Sequence, residues 1–150
     1  MKTDGVHILL AEDDRDDRLF FKNAFKDLKI QNRLTICEDG ISLMDYLKGA
    51  EPLPDILFLD LNMPGKSGMD CLKEIRANLH YRDMSIAIYT SLSHPSIHED
   101  TLSAGANVFI RKPNDLGVLK KILLEVMYIN WQYMVDGLNK ENFMISYQSS

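Results

Sequence analysis

The sequence has no block of lysine or arginine, and its formal net charge is −5. That balance argues against direct nucleic-acid binding, where basic side chains on phosphates dominate affinity. No apolar run approaches the roughly 20 residues that span a bilayer, so no membrane segment is predicted. The start, MKTDGVHILL, has no charged leader followed by a long apolar stretch, and no signal peptide is expected. Cysteine is scarce. Cys37 and Cys71 stand far apart, outside any ligand-like cluster, and read as two reduced, mostly buried side chains. There is no internal repeat and no low-complexity linker. These absences point to a cytoplasmic protein. The 150 residues suit one domain with one core, and an apolar content of 45% is ordinary for a globular chain.

Short apolar runs alternate with amphipathic stretches. Residues 6–11, 55–59, 86–89 and 108–110 are runs of the kind that form strands covered on both faces. RLTICE, residues 33–38, alternates instead and fits an edge strand. Between the runs lie helical patterns. Phe21, Ala24, Phe25 and Leu28 share one face; Leu43, Met44 and Leu47 a second; Met69, Leu72, Ile75 and Leu79 a third; Leu116, Leu119, Leu123 and Val126 a fourth. HPSIHEDTLSAGA predicts one more short helix, entered near Pro95 and closed at Ala104-Gly105. Strand and helix thus alternate five times. That order predicts an α/β fold: a doubly wound five-stranded parallel sheet with helices on both faces and right-handed crossovers.

In such a sheet, function gathers beyond the carboxyl ends of the strands. Glu12, Asp13 and Asp14 follow the first strand, and Asp60 with LNMPGKSG follows the third. Thr90 and Ser91 follow the fourth, and Lys112-Pro113 the fifth. Adjacent first and third strands would bring Glu12, Asp13 and Asp60 together. Two carboxylates about 5 Å apart repel by roughly 3 kcal/mol at an effective dielectric near 20. Either their pKa values rise or a cation neutralises them. Oxygen-only ligands on loops favour Mg2+, and Mn2+ could substitute. With Lys112 as a compact positive charge and Thr90 as a hydroxyl donor, the set suits phosphoryl transfer to Asp60 as nucleophile.

ILLAEDD, DILFLDLNMPGKSG, IAIYTS and VFIRKP together resemble the receiver domain of bacterial two-component response regulators, of the stand-alone chemotaxis-regulator type. The resemblance covers about residues 5–129, with four motifs in order. It implies the flavodoxin-like strand order 2-1-3-4-5, with a receiver domain over residues 1–129 and a helical extension and tail over 130–150. It implies that Glu12 and Asp13 bind Mg2+, that Asp60 is the phosphoacceptor and metal ligand, and that the backbone carbonyl of Asn62 reaches the metal. Thr90 and Lys112 would bind the phosphoryl group, and Lys112–Pro113 would be cis. The switch aromatic falls on Phe109, which has no phenol hydroxyl, so switching there works by packing. The implied donor is a histidine kinase or phosphotransfer protein. The implied output is a changed surface on the fourth helix, fifth strand and fifth helix, read by a downstream protein.

Other residues read more plainly. Asp14, Asp16 and Asp17 suit the start of the first helix, as a cap and as acids favoured by its dipole, with an indirect metal role open to Asp14. Gly65 and Gly68 allow the tight turn after Asp60. His94 and His98 stand at i, i+4 spacing, but no third ligand is evident, and they read as a solvated helix start. Lys120 and Lys121 read as a charged outer face. Residues 130–136 extend the last helix, with Gly137 as its stop, and Trp131, Tyr133 and Met134 either fold back on the domain or meet a partner. The long helix and aromatic tail point to a homodimer. The chain ends too early for an output domain, which predicts a stand-alone regulator. An aspartate-dependent phosphohydrolase would want a second acid two residues after its nucleophile, where this chain has Asn62. A phosphate-independent interaction module would leave the acidic cluster without a task. A flavin site would need glycine and hydroxyls where the first loop has carboxylates.

Overall fold

A computed structural model describes residues 5–28, 32–92, 94–136 and 145–147, with only the backbone course given for 131–136 and 145–147. The elements are β1 (Val6–Ala11), α1 (Arg15–Lys26), β2 (Asn32–Cys37), α2 (Gly40–Gly49), β3 (Ile56–Leu59), α3 (Gly68–Arg76), a 3-10 turn (Leu79–Tyr81), β4 (Ser85–Thr90), α4 (Ile97–Ser103), β5 (Val108–Arg111), α5 (Leu116–Asp136) and β6 (Ile145–Tyr147).

All strand pairs are parallel, in the order β2-β1-β3-β4-β5-β6. Side chains alternate across each strand, and both faces are covered, which is why the strands read as continuous apolar runs. Leu9, Leu57, Ile88 and Phe109 pack with Leu43 and Leu72, on the α2 and α3 face. Leu10, Phe58, Tyr89 and Ile110 pack with Phe21 and Leu123, on the α1 and α5 face. Phe21 sits edge-on to both Phe58 and Tyr89, with centroids 5.1 and 5.5 Å apart. The helix starts are capped by side chains: Asp14 accepts from the Asp17 N–H at 2.8 Å, Asp39 from Ser42 at 2.7 Å and Ser67 from Asp70 at 3.1 Å.

Strands one to five have the expected 2-1-3-4-5 order. The sheet then gains a sixth strand from the tail, with Val108 opposite Ile145 and Ile110 opposite Tyr147. A three-residue strand carries too little pattern to be read from sequence, and α5 serves as its crossover. Helix α5 runs to Asp136. Gly137 and the side chains of Trp131, Tyr133 and Met134 lie outside the described residues. Leu79 is not on the α3 face: the helix ends at Arg76, and Leu79 is exposed in the 3-10 turn. The cis peptide bond is Glu51–Pro52, and Lys112–Pro113 is trans. An X–Pro bond prefers trans by only about 0.5–1 kcal/mol, so the surrounding chain, not the dipeptide, decides the isomer.

Arg76 ties the amino ends of β4 and β5 to α3. Its guanidinium donates to the carbonyls of Gly105, Tyr81 and Met84 and to Asn107 Oδ1, at 2.8 to 3.2 Å. Asn107 Oδ1 also accepts the Ile86 N–H at 2.9 Å. At the opposite end, the start of α3 is pressed onto the end of β3. The Gly68 N–H donates to the Leu61 carbonyl at 3.0 Å. A Cβ at Gly68 would stand 2.1 Å from the Asp60 carbonyl oxygen and 2.6 Å from Leu61 Cα. Gly68→Ala is therefore expected to cost about 1–3 kcal/mol of stability, the range for overpacking a closed contact. Denaturant unfolding checks this; an unchanged midpoint would show that the turn relaxes freely.

Candidate functional site

The sheet register places the acids. Ala11 pairs with Leu59, so Glu12 and Asp60 stand side by side just beyond their strands. The ladder continues through them: the Glu12 N–H donates to the Cys37 carbonyl and the Asp60 N–H to the Ala11 carbonyl, both at 3.0 Å. Arg18, one turn into α1, donates to the carbonyls of Glu12 at 3.0 Å and Asp13 at 2.8 Å, and so shapes the acidic turn from behind. Glu12 and Asp60 are buried, while Asp13 is only half-buried.

One oxygen from each of Glu12, Asp13 and Asp60 lies within 4.8 Å of the others, the group of potential metal ligands found among the described residues. Lys112 closes the cluster. Its Nζ is 2.7 Å from Glu12 Oε1 and 3.8 Å from Asp60 Oδ1, and a further 2.7 Å contact joins it to Asp17 Oδ2 on α1. The Lys112 N–H donates to the Thr90 carbonyl at 2.9 Å, which locks the ends of β4 and β5 together. Thr90 is fully buried, and its hydroxyl accepts the Leu92 N–H at 3.1 Å. The Asn62 N–H points to Asp60 Oδ1 at a long 3.4 Å, and Asn62 is exposed on the following turn. Phe109 is fully buried on the opposite face of β5 from Val108 and Ile110.

The electrostatics follow from burial. Desolvation pushes the Glu12 carboxyl from its ordinary 4.5 up to about 8; Lys112 opposes the rise and the Asp60 charge adds to it. Asp60 is likewise raised by desolvation, with Lys112 again opposing. For Lys112, burial works against the charge, but its pairing with Asp17 and Glu12 outweighs that and holds its pKa above the ordinary value. One lysine does not balance three carboxylates. Glu12 Oε1 is buried and, although close to Lys112, receives no aligned hydrogen bond. A buried carboxylate that shares one lysine with its neighbours, beside two other carboxylates, fits a divalent cation, and this donor set of hard oxygens suits that chemistry.

The structure thus brings Glu12, Asp13, Asp60, Thr90 and Lys112 to one end of the sheet, with Asn62 on its rim and Phe109 beneath. Asp14 acts as the α1 cap, while Asp17 instead reaches Lys112. Asp17 and Arg18 are the site residues that sequence reasoning missed. Their signal was spacing, since residues five and six after Glu12 come round on the first turns of α1 to face it. His94 and His98 do not act as a pair. His94 Nδ1 lies 3.0 Å from Ser96 Oγ, whereas the His98 ring packs edge-on against Phe109 with centroids 5.1 Å apart.

Comparison with known proteins gives one answer. Residues 8–124 match the response regulator receiver domain family. Response regulator Rcp1 of Synechocystis sp. is 30% identical over 77% of this chain and 82% of its own length. Chemotaxis protein CheY-3 of Vibrio cholerae is 31% identical over 79% of this chain and 89% of its own. The crystal structure of the Mn(2+)-bound form of Rcp1 superposes with a TM-score of 0.72 at 27% identity, covering 81% of this chain and 91% of that one.

The Glu12 shift predicts a pH response. Its folded pKa lies above its unfolded one, so its contribution to stability is full below about 4.5 and is lost as pH rises through about 8. A bound divalent cation favours the charged form and offsets that loss. The increase in melting temperature on adding Mg2+ should therefore be larger at pH 8 than at pH 6. Equal increments at both values would show that Glu12 is not the titrating ligand.

Proposed function

Because the chain belongs to the response regulator receiver domain family, we propose that Asp60 is its phosphoacceptor and that the cluster around it binds Mg2+. The observation that carries the reading is the meeting of Glu12, Asp13 and Asp60 within 4.8 Å, with Lys112 Nζ 3.8 Å from the Asp60 carboxylate. The donor is a phosphohistidine on a histidine kinase or phosphotransfer protein. An Asp60 oxygen attacks phosphorus, the phosphorus–nitrogen bond breaks, and the imidazole leaves with the electron pair. Lys112 and Thr90 hold the phosphoryl oxygens. Glu12, Asp13, the Asp60 carboxylate and the Asn62 backbone carbonyl would hold the metal. When bound, Mg2+ supplies charge neutralisation for the transferring group, and Mn2+ can take its place. The Mn(2+)-bound form of Rcp1 supports a divalent cation in this chain too.

The domain assists its own phosphorylation and hydrolysis but turns over no external substrate. A phosphohydrolase would place an acid where Asn62 stands. Charge on Asp60 draws Thr90 inward. Phe109, with no hydroxyl to reorient, repacks against His98 on α4, and the face of α4, β5 and α5 changes its affinity for a downstream protein. The domain boundary we propose is a receiver over residues 1–129 with residues 130–150 as its extension. No described helix is long and apolar enough to cross a membrane, and the cytoplasm is the proposed setting. Exposed Leu124 and Tyr128 on α5 support self-association as a homodimer.

Acetyl phosphate with Mg2+ should add one phosphoryl group to the wild type and none to Asp60→Asn. Equal labelling of the two would overturn the assignment. Light scattering should show a dimer mass that responds to a phosphate mimic; an unchanged monomer mass in both states would reject self-association.

A further inference from the structure

Lys112 is held from two sides, and one of them lies outside the motifs that define the site. Its Nζ contacts Glu12 Oε1 at 2.7 Å from β1 and Asp17 Oδ2 at 2.7 Å from α1, yet stands 3.8 Å from Asp60 Oδ1. The Asp17 contact is an aligned, charge-assisted hydrogen bond, whereas the Glu12 contact is not aligned. The Asp17 side chain is 39% exposed and that of Lys112 only 11%. A flexible four-carbon stem ending among buried carboxylates would otherwise swing onto them, because a desolvated ion pair is the strongest contact within reach. Seated directly on Asp60 as well, the ammonium would occupy the oxygens that a cation needs there and would quench the nucleophile.

We propose that Asp17 is a positioning residue: through Lys112 it holds the ammonium off the Asp60 carboxylate, leaving the Asp60 oxygens open to the metal. The effect is that of an outer partner orienting the group next to a metal site, where removal commonly costs about 10–100-fold in affinity. Asp17 touches neither the metal nor the phosphoryl group. The inference rests on the proposed roles of Asp60 and Lys112.

The test is a double-mutant cycle read by calorimetric titration with Mg2+, using Asp17→Asn, Lys112→Ala and the pair, with circular dichroism to verify folding. Asp17→Asn should weaken Mg2+ binding about tenfold and slow phosphorylation by acetyl phosphate. Asp17→Glu, which can restore the tether, should recover most of the affinity. In the Lys112→Ala background, Asp17→Asn should change Mg2+ affinity less than about twofold, because the tether then has nothing to hold. An equal loss in both backgrounds would show that Asp17 acts by its charge alone and would overturn the proposal. Wild-type affinity in Asp17→Asn would overturn it as well. Wild-type protein that takes no phosphoryl group at all would instead count against the reading of Asp60.

Discussion

The ammonium of Lys112 lies against Glu12 at the end of a sheet where β1 and β3 both finish in acids. Without a positive charge at this point, Glu12 and Asp60 would both be carboxylates in a setting where each pays for desolvation and repels the other. With it, the cluster is tolerable but not neutral: Glu12 still sits well above its ordinary value. The protein therefore carries an unfinished charge balance at one end of its sheet. Such a site responds strongly to a cation or to added phosphate, because either changes a balance that is already close to even.

The scaffold makes that balance specific. Parallel pairing of β1 with β3 fixes Glu12 beside Asp60, and a slip of one residue would turn one of them to the other face. Gly68 lets α3 begin in contact with the Asp60 backbone, so Asp60 stands on a closed turn. Arg18 supports the acidic loop through its carbonyls, leaving the carboxylates free for other partners. The site is thus placed by main-chain geometry, with side chains added at the ends of rigid elements.

Much of this was legible in the sequence, for definite reasons. Strands buried on both faces have to be continuous apolar runs, so β1, β3, β4 and β5 declared themselves, and β2 showed the alternation of an edge. The motif residues follow those runs directly, which makes Glu12, Asp13, Asp60, Thr90 and Lys112 visible as strand-end residues. What stayed hidden depends on distance across the fold. Asp17 looked like one more acid favoured by a helix dipole, and only the crossing of α1 past the end of β5 reveals its partner. His98 looked solvated because nothing local says that α4 lays it on Phe109. Strand β6 is three residues long and takes its identity from the open edge of β5. Leu79 kept helical spacing after the helix had stopped, since periodicity alone carries no end signal.

Arg76 gives the other end of the molecule a different character. Its guanidinium gathers three carbonyls and the Asn107 amide oxygen at the amino ends of β4 and β5. Breaking that knot would strand several buried acceptors at once, so local opening there is costly. The opposite ends of the same strands are joined by one backbone hydrogen bond between Lys112 and Thr90 and by the ion pairs of Lys112 with Glu12 and Asp17. The two ends of β4 and β5 are thus held by different forces: carbonyls gathered on one guanidinium at the base, and ion pairs that a change of charge would loosen at the tips.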